Sequence, residues 1–190
     1  MILELPPRPV ALYDASVLYP SLIRNLLMYL GTESLVAVRW TDTIHDEWTR
    51  NLRLAQPDLT LERLSYIRRL MERALPDAAV SGFEALIPTL TLPDPEDCHV
   101  LAAAIQAGAD LIVTQNLKHF PALALEEHGI EALTPDALLC RLLDFEPSAT
   151  RLALEKLRLS FRNPPFDPAR FLSRLAEVGL KNTAARLREG

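Results

Sequence analysis

Three oxygen-bearing side chains lie where predicted strands or helices meet loops, and a fourth lies inside a predicted helix. Asp14 closes the apolar run VALYD, Asp97 heads an alanine-rich helix, and Asn116 follows the apolar run DLIVT. Glu47 lies one turn into another predicted helix and could bring a further carboxylate. Carboxylates gathered at one place repel one another strongly unless a cation lies among them. The ions that suit oxygen ligands and retained waters are Mg²⁺ and Mn²⁺.

An ion of this kind polarises a phosphoryl oxygen and activates a water, so the residues predict metal-dependent hydrolysis of phosphodiesters. The sequence contains no G-x-G-x-x-G motif, no Walker A loop and no G-x-S-x-G motif. Its four histidines are not at zinc spacing. We interpret His99 as a structural residue on a buried helix, and we expect His45 and His128 to be exposed.

Each acid also has a structural interpretation that the sequence leaves open. Asp94 precedes Pro95 as a helix cap, and acids in the first turn stabilise a helix by about 0.3–1 kcal/mol each through its dipole. Asp14 could itself cap a helix that begins at Ala15, and Glu47 could face solvent. The positions of Asp14, Asp97 and Asn116 after three predicted strands favour chemistry, because open parallel sheets bind ligands beyond the carboxyl ends of their strands.

The elements that must position these residues alternate between strands and helices, which predicts an α/β fold with a central parallel sheet. The predicted strands cover 10–14, 35–40, 85–92, 110–114 and 129–133. The predicted helices cover 16–31 (as a helix or broken helix), 41–55, 59–75, 95–107 and 135–144.

The charge of the chain changes sign near residue 146. Residues 1–146 hold 21 acidic and 11 basic side chains, whereas residues 147–190 hold 4 acidic and 9 basic ones. The second part is predicted to be helical, with N-caps at Ser148 and Asp167 and a last short helix from about Asn182. We therefore predict a domain over 1–146 and a basic C-terminal helical region over 147–190.

The remaining bulk features predict a cytoplasmic protein. No apolar run approaches the roughly 20 residues that span a bilayer, and the first ten residues lack the pattern of a signal peptide. Cys98 and Cys140 lie among apolar neighbours, so we interpret them as small core residues rather than as a disulfide or a metal pair.

Three stretches resemble PIN-domain proteins, and more narrowly the VapC-type toxins of bacterial toxin–antitoxin pairs. They are LYDASVLYPSLIRNLL, IHDEWTRNL and LPDPEDCHVLAAAIQAGADLIVTQNLKHFP. The resemblance covers about residues 8–144 and implies a three-layer α/β/α fold around a parallel sheet. It also implies bound Mg²⁺ or Mn²⁺, an RNA substrate that is usually single-stranded, a cognate antitoxin as partner, and a homodimer.

The resemblance carries roles to matching positions of this sequence. Asp14, Glu47 and Asp97 match the acids that hold the ion directly or through water. Asn116 matches a position where the family has Asp or Asn, and it would orient a water or ligand. Ser16 matches a hydroxyl that often supports the metal site. The implied reaction leaves a 5′-phosphate and a 3′-hydroxyl.

One position departs from the family pattern, because NLKHFP stands where many relatives read NLKDFP, so that His119 replaces a carboxylate. The exchange either weakens a second metal position or leaves His119 to contact phosphate, and the number of ions stays open. An acidic crevice needs basic residues for RNA phosphates. The candidates are Lys118, His119, Arg50 and Arg53 together with the basic region, which could instead pack on the core or dock an acidic partner.

Two other functions stay open from the sequence. One is a PIN-fold module with a weakened metal site that only binds RNA or protein, and the other is a structure-specific DNA nuclease.

Overall fold

A computed structural model describes residues 6–189. The described chain contains a four-stranded parallel sheet in the order β2-β1-β3-β4. Its strands are β1 (Val10–Tyr13), β2 (Ala37–Arg39), β3 (Leu111–Val113) and β4 (Glu131–Leu133). Helices flank this sheet, so the predicted α/β fold with a central parallel sheet is confirmed.

The helices follow the predicted order, and Pro20 divides the first predicted helix into two because it has no backbone N–H to continue the ladder. The first six helices are α1 (Ala15–Leu18), α2 (Ser21–Thr32), α3 (Asp42–Ala55), α4 (Leu61–Ala74), α5 (Cys98–Gln106) and α6 (Ala122–Glu126). The last four are α7 (Pro135–Phe145), α8 (Pro147–Ser160), α9 (Pro168–Glu177) and α10 (Lys181–Glu189). None of the helices in residues 6–189 is long and apolar enough to cross a membrane.

The central strands β1 and β3 end at the same level of the sheet. Tyr13 pairs with Val113, and Val113 pairs in turn with Leu133. These strands are apolar throughout and buried, which is typical of a parallel sheet covered on both faces. The next residues along the two central strands, Asp14 and Thr114, therefore emerge side by side at the carboxyl edge.

The prediction of a strand over 85–92 is wrong. Residues Glu84–Thr89 form a 3₁₀ helix that contains Pro88 and contacts α5. Pro88 cannot donate a ladder hydrogen bond, so this apolar run is excluded from the interior of a sheet. Asp97 therefore does not follow a strand, and it reaches the sheet edge through the 3₁₀ turn Pro95–Asp97 that leads into α5.

The C-terminal helices share the hydrophobic core of the sheet. Helix α8 packs against α2, and α10 packs against both α7 and α9. Leu154 and Leu175 belong to the same cluster of buried residues as Leu12 of β1. The predicted cap Ser148 lies inside α8, whose N-cap position is Glu146, whereas Asp167 caps α9 as predicted by accepting a hydrogen bond from the backbone N of Arg170.

A buried carboxylate fastens the last helix to the domain before it. Asp136, in the first turn of α7, accepts hydrogen bonds from the backbone N atoms of Asn182 and Thr183 at 3.1 and 2.9 Å. It also accepts bonds from the side-chain amide of Asn182 and the hydroxyl of Thr183 at 2.9 and 2.6 Å. The free N–H groups at the start of α10 are thus satisfied by a residue 46 positions earlier in the chain.

Candidate functional site

Asp14 is a buried carboxylate at the carboxyl edge of the sheet, with 4% of its surface exposed. Its backbone N donates to the carbonyl of Val113 at 3.1 Å, which extends the pairing of β1 and β3 by one residue. Its Oδ2 accepts hydrogen bonds from Ser16 Oγ at 2.6 Å and Thr114 Oγ1 at 2.8 Å. Within residues 6–189, Oδ1 accepts no hydrogen bond, so one oxygen of this carboxylate is left for another partner.

The turn after β3 is tied to the same carboxylate. Thr114 Oγ1 accepts a hydrogen bond from the backbone N of Asn116 at 3.0 Å, and Ser16 Oγ accepts one from the backbone N of Gln115 at 3.0 Å. Asn116 is exposed and begins the 3₁₀ turn Leu117–His119. Sequence reasoning missed Thr114, although a hydroxyl directly after an apolar strand was a usable signal.

Asp94, Asp97 and His119 form a compact group of potential metal ligands. One ligand atom from each lies within 4.8 Å of the other two. His119 Nδ1 is 2.7 Å from Asp97 Oδ2 and 3.8 Å from Asp94 Oδ2. Asp94 also caps its turn as predicted, since its Oδ1 accepts a hydrogen bond from the backbone N of Glu96 at 3.0 Å.

The electrostatics of Asp97 show that these acids act on one another. Burial raises the pKa of the Asp97 carboxyl, and the charges of Asp14 and Asp94 raise it further. The hydrogen bond and charge of His119 act in the opposite direction. A cation placed among the three carboxylates would relieve this repulsion.

Glu47 of α3 contacts His99, which lies in the first turn of α5. Its Oε1 lies 2.9 Å from His99 Nε2, and the side chains of Glu47 and His99 are 26% and 12% exposed. The second ring nitrogen of His99, Nδ1, is buried and has no hydrogen-bond partner among the described residues. Sequence reasoning treated His99 as structural and did not connect it with Glu47, because the two residues are far apart in the chain.

The predicted exposure of two other histidines is wrong. His45 is buried at the start of α3, where its Nδ1 accepts a hydrogen bond from Trp48 Nε1 at 2.9 Å. Burial lowers the pKa of His45 to about 4, with a smaller contribution from Arg68, so the ring is neutral at pH 7. His128 is half-buried beside Glu127.

The three predicted ligands Asp14, Glu47 and Asp97 do not form a set as compact as the group around His119. Across residues 6–189, only Asp94, Asp97 and His119 place three ligand atoms of His, Cys, Asp or Glu within 4.8 Å of one another. Asp14 is nevertheless close enough for its charge to raise the pKa of Asp97. The joint role of the three predicted ligands remains a prediction.

Two depressions lie along α3, and the second of them is lined by the site residue Ser16. A groove of about 510 Å³ between α3 and the start of α4 is lined in part by Arg50, Arg53 and Leu54. A second depression, of about 630 Å³, is lined in part by Ser16, Asn51 and the same Leu54. The predicted cation Lys118 is exposed on the 3₁₀ turn after Asn116.

Comparisons with known proteins cover both parts of the chain. A family model described as PIN domain matches residues 11–118, and one described as VapC50 C-terminal domain matches residues 135–189. No solved structure matches the chain.

A curated relative from Mycobacterium tuberculosis (strain ATCC 25618 / H37Rv) carries the name "Putative ribonuclease VapC50". It is 44% identical over 82 residues, which are 43% of this chain and 48% of the relative. The chain thus matches about half the length of that relative.

Proposed function

The chain belongs to the PIN-domain family and is VapC-like with a C-terminal extension, and from this premise we propose that it is a metal-dependent endoribonuclease, the toxin of a toxin–antitoxin pair. The observation that carries the proposal is the convergence of carboxylates at the carboxyl edge of the sheet. Asp14 is buried there, its Oδ1 accepts no hydrogen bond from residues 6–189, and its charge raises the pKa of Asp97.

The chemistry of the donors fits a divalent cation. Asp14, Glu47 and Asp97 are the proposed ligands, and all three offer carboxylate oxygens, which Mg²⁺ and Mn²⁺ prefer. His119 and Asp94 lie beside Asp97 and could add a nitrogen and a further oxygen. A bound ion would polarise the phosphoryl group of the substrate and activate the attacking water.

Several residues prepare this site without holding the ion themselves. The hydroxyls of Ser16 and Thr114 hold Asp14 Oδ2, so they fix the direction of its free Oδ1. Asn116 begins the turn that is bonded to Thr114, and its exposed side-chain amide is proposed to orient a water or the substrate. These hydrogen bonds orient the Asp14 carboxylate before any substrate binds. Less free energy is then needed to reorganise the site during the reaction.

The RNA is proposed to follow the two depressions along α3. Arg50 and Arg53 would contact phosphates, and Leu54, which is 76% exposed and lines both depressions, offers an apolar surface to a base. Lys118 and His119 would contact the phosphate nearest the carboxylates. Basic contacts of this kind supply the sequence-independent part of nucleic-acid binding and weaken as salt rises.

The partners and the division of the chain complete the proposal. A cognate antitoxin is the proposed protein partner, a homodimer the proposed assembly and the cytoplasm the proposed compartment. We further propose that residues 1–146 carry the nuclease and that residues 147–190 form a basic region attached to it. Support for the attachment comes from the contacts of α8 with α2 and of α10 with α7.

The test is cleavage of labelled single-stranded RNA and single-stranded DNA by the full chain in Mn²⁺, Mg²⁺ or EDTA. We expect RNA to be cut only when an ion is present. Asp97→Asn should lower kcat by at least about 100-fold, since even residues that only support metal ligands change activity by about 10- to 100-fold. Glu96→Gln is the matched control, because this neighbouring acid is exposed and should leave kcat unchanged.

Cleavage that persists in EDTA, or an Asp97→Asn variant as active as the wild type, would overturn the proposal. Cleavage of DNA alone would identify a DNA nuclease, and RNA binding without cleavage would identify a binding module. The toxin role is tested separately by growth arrest on expression, which co-expression of the neighbouring antitoxin gene should relieve.

A further inference from the structure

The contact between His99 and Glu47 joins the two helices that carry proposed metal ligands. Glu47 lies on α3, and His99 lies in the first turn of α5, two residues after Asp97. Nε2 of His99 is 2.9 Å from Oε1 of Glu47. The pair therefore spans the gap between two elements that are distant in sequence and that approach each other at the proposed site.

The ring has a single polar partner, which gives the contact its direction. Nδ1 of His99 is buried and meets no hydrogen-bond partner in the described part of the chain, so Nε2 makes the only polar contact of the ring. An ionised carboxylate has no hydrogen to donate, so Nε2 is the atom that carries the hydrogen in this contact. Nδ1 then carries no hydrogen. In a buried position this costs less free energy than an N–H group without an acceptor would.

We infer that His99 is a positioning residue for Glu47. Its Nε2 lies against Oε1 at 2.9 Å and leaves Oε2 for the metal ion. Glu47 has a long side chain with several rotamers, and the contact with His99 selects one of them before the ion arrives. This inference rests on the proposed function, since it needs Glu47 to serve the metal.

His99 would then act as the residues around other metal sites do when they orient a ligand. Loss of such an outer contact typically lowers metal affinity or activity by about 10- to 100-fold. If His99 had only a structural role, its replacement would lower the stability of the fold and leave the affinity for the metal unchanged. Metal binding and thermal unfolding therefore separate the two roles.

The experiment is calorimetric titration of the full chain with Mn²⁺, accompanied by thermal unfolding in EDTA and by RNA cleavage. His99→Leu should raise the Kd for Mn²⁺ by at least about 10-fold and lower kcat while the KM for RNA stays unchanged. His99→Gln keeps an N–H donor and should restore the Kd to within about 3-fold of the wild type. The matched control is His128→Leu, because His128 is another half-buried histidine beside a glutamate.

A double substitution shows whether His99 acts through Glu47. Glu47→Gln alone should weaken Mn²⁺ binding, and adding His99→Leu to it should weaken binding no further. If His99→Leu does not fold, His99→Asn replaces it, since this side chain is polar but too short to reach Glu47.

Three results would overturn the inference. The first is a folded His99→Leu or His99→Asn variant with wild-type Mn²⁺ affinity, and the second is a folded His99→Gln variant as weak as His99→Leu. If Glu47→Gln weakens Mn²⁺ binding in these cases, only the positioning role fails. The third is a Glu47→Gln variant that binds Mn²⁺ as the wild type does, which would also remove Glu47 from the proposed function.

Discussion

The hydroxyl of Thr114 both donates and accepts hydrogen bonds at the proposed site. It donates to Asp14 Oδ2 and accepts from the backbone N of Asn116, so it links the ends of the two central strands. Thr114 is fully buried, and no solvent can replace the bond that it gives to Asp14. The direction of the Asp14 carboxylate therefore depends on this one side chain together with Ser16.

Replacing Thr114 by valine keeps the shape of the side chain and removes the hydroxyl. We expect Thr114→Val to lower kcat about 10-fold or more and to lower the free energy of unfolding by about 1–3 kcal/mol, because a buried acceptor loses its donor. Thr150→Val is the matched control, since Thr150 of α8 is equally buried but its hydroxyl bonds only to the carbonyl of Leu142 in α7. Equal kcat values for the two variants would contradict the role of Thr114.

A second prediction concerns His119 and the choice between Mn²⁺ and Mg²⁺. Its imidazole lies against Asp97, and a nitrogen donor suits transition ions better than it suits Mg²⁺. We expect His119→Asp to lower the preference for Mn²⁺ over Mg²⁺ by about 10-fold in competition titrations. His128→Asp adds the same charge away from the site and should leave the preference unchanged. A preference that His119→Asp does not alter would show that the imidazole takes no part in binding.

Some of the individual site residues could be predicted from the sequence, but their partners could not. Asp14 could be found because it directly follows an apolar strand, and Asn116 because it lies in the turn after another. The partnerships of Thr114 with Asp14 and of His99 with Glu47 could not, since each joins residues that only the folded chain brings together. Asp94 was recognised as a cap, but its place beside Asp97 and His119 depends on where the turn after β3 falls.

The starts of α3 and α5 determine where the proposed ligands Glu47 and Asp97 lie. Helix α3 starts at a cap in which Thr41 Oγ1 accepts from the backbone N of Ile44 at 3.1 Å, and this start positions Glu47 one turn later. Helix α5 starts from the 3₁₀ turn Pro95–Asp97. The sequence predicted both helices, over 41–55 and 95–107. It misled for 85–92, because that apolar run was interpreted as a strand although Pro88 interrupts it.

Helix α10 depends on Asp136 for its attachment. We expect Asp136→Ala to lower the free energy of unfolding by about 3 kcal/mol, because it removes hydrogen bonds to a buried charge and leaves the first N–H groups of α10 unpaired. Hydrogen exchange should accelerate in residues 181–189. Asp167→Ala, which removes an exposed helix cap, should cost only about 1 kcal/mol. Equal losses for the two variants would contradict the anchoring role of Asp136.

The described residues 6–189 share one continuous hydrophobic core, although the two parts of the chain differ in charge. Buried residues of α8 and α9, such as Leu157 and Phe171, belong to the same cluster as the residues of β1 and β3. The sign change of the charge near residue 146 predicted where the basic region begins. It could not predict how that region packs, because packing depends on the apolar faces of α2 and α7 against which α8 and α10 lie.

This shared core yields a prediction about truncation. A chain that ends at residue 146 would expose the apolar surface that α8 and α10 cover, and at about 25 cal/mol per Å² such exposure is costly for a fold of this size. We expect the truncated chain to aggregate in size-exclusion chromatography and to lose a cooperative thermal transition. A monomeric truncated chain with the Tm of the full protein would show that residues 147–190 are dispensable for folding.

The most direct measurement of the central claim is single-turnover cleavage of a labelled single-stranded RNA while the metal ion is removed and returned. We expect the full chain to cut the RNA in Mn²⁺, to stop when EDTA is added in excess, and to resume when Mn²⁺ is restored. Asp14→Asn, which keeps the size of the side chain, should cut at least about 100-fold more slowly under the same conditions. Cutting that continues at an unchanged rate in EDTA, or an Asp14→Asn variant as fast as the wild type, would contradict a metal-dependent nuclease at this edge of the sheet.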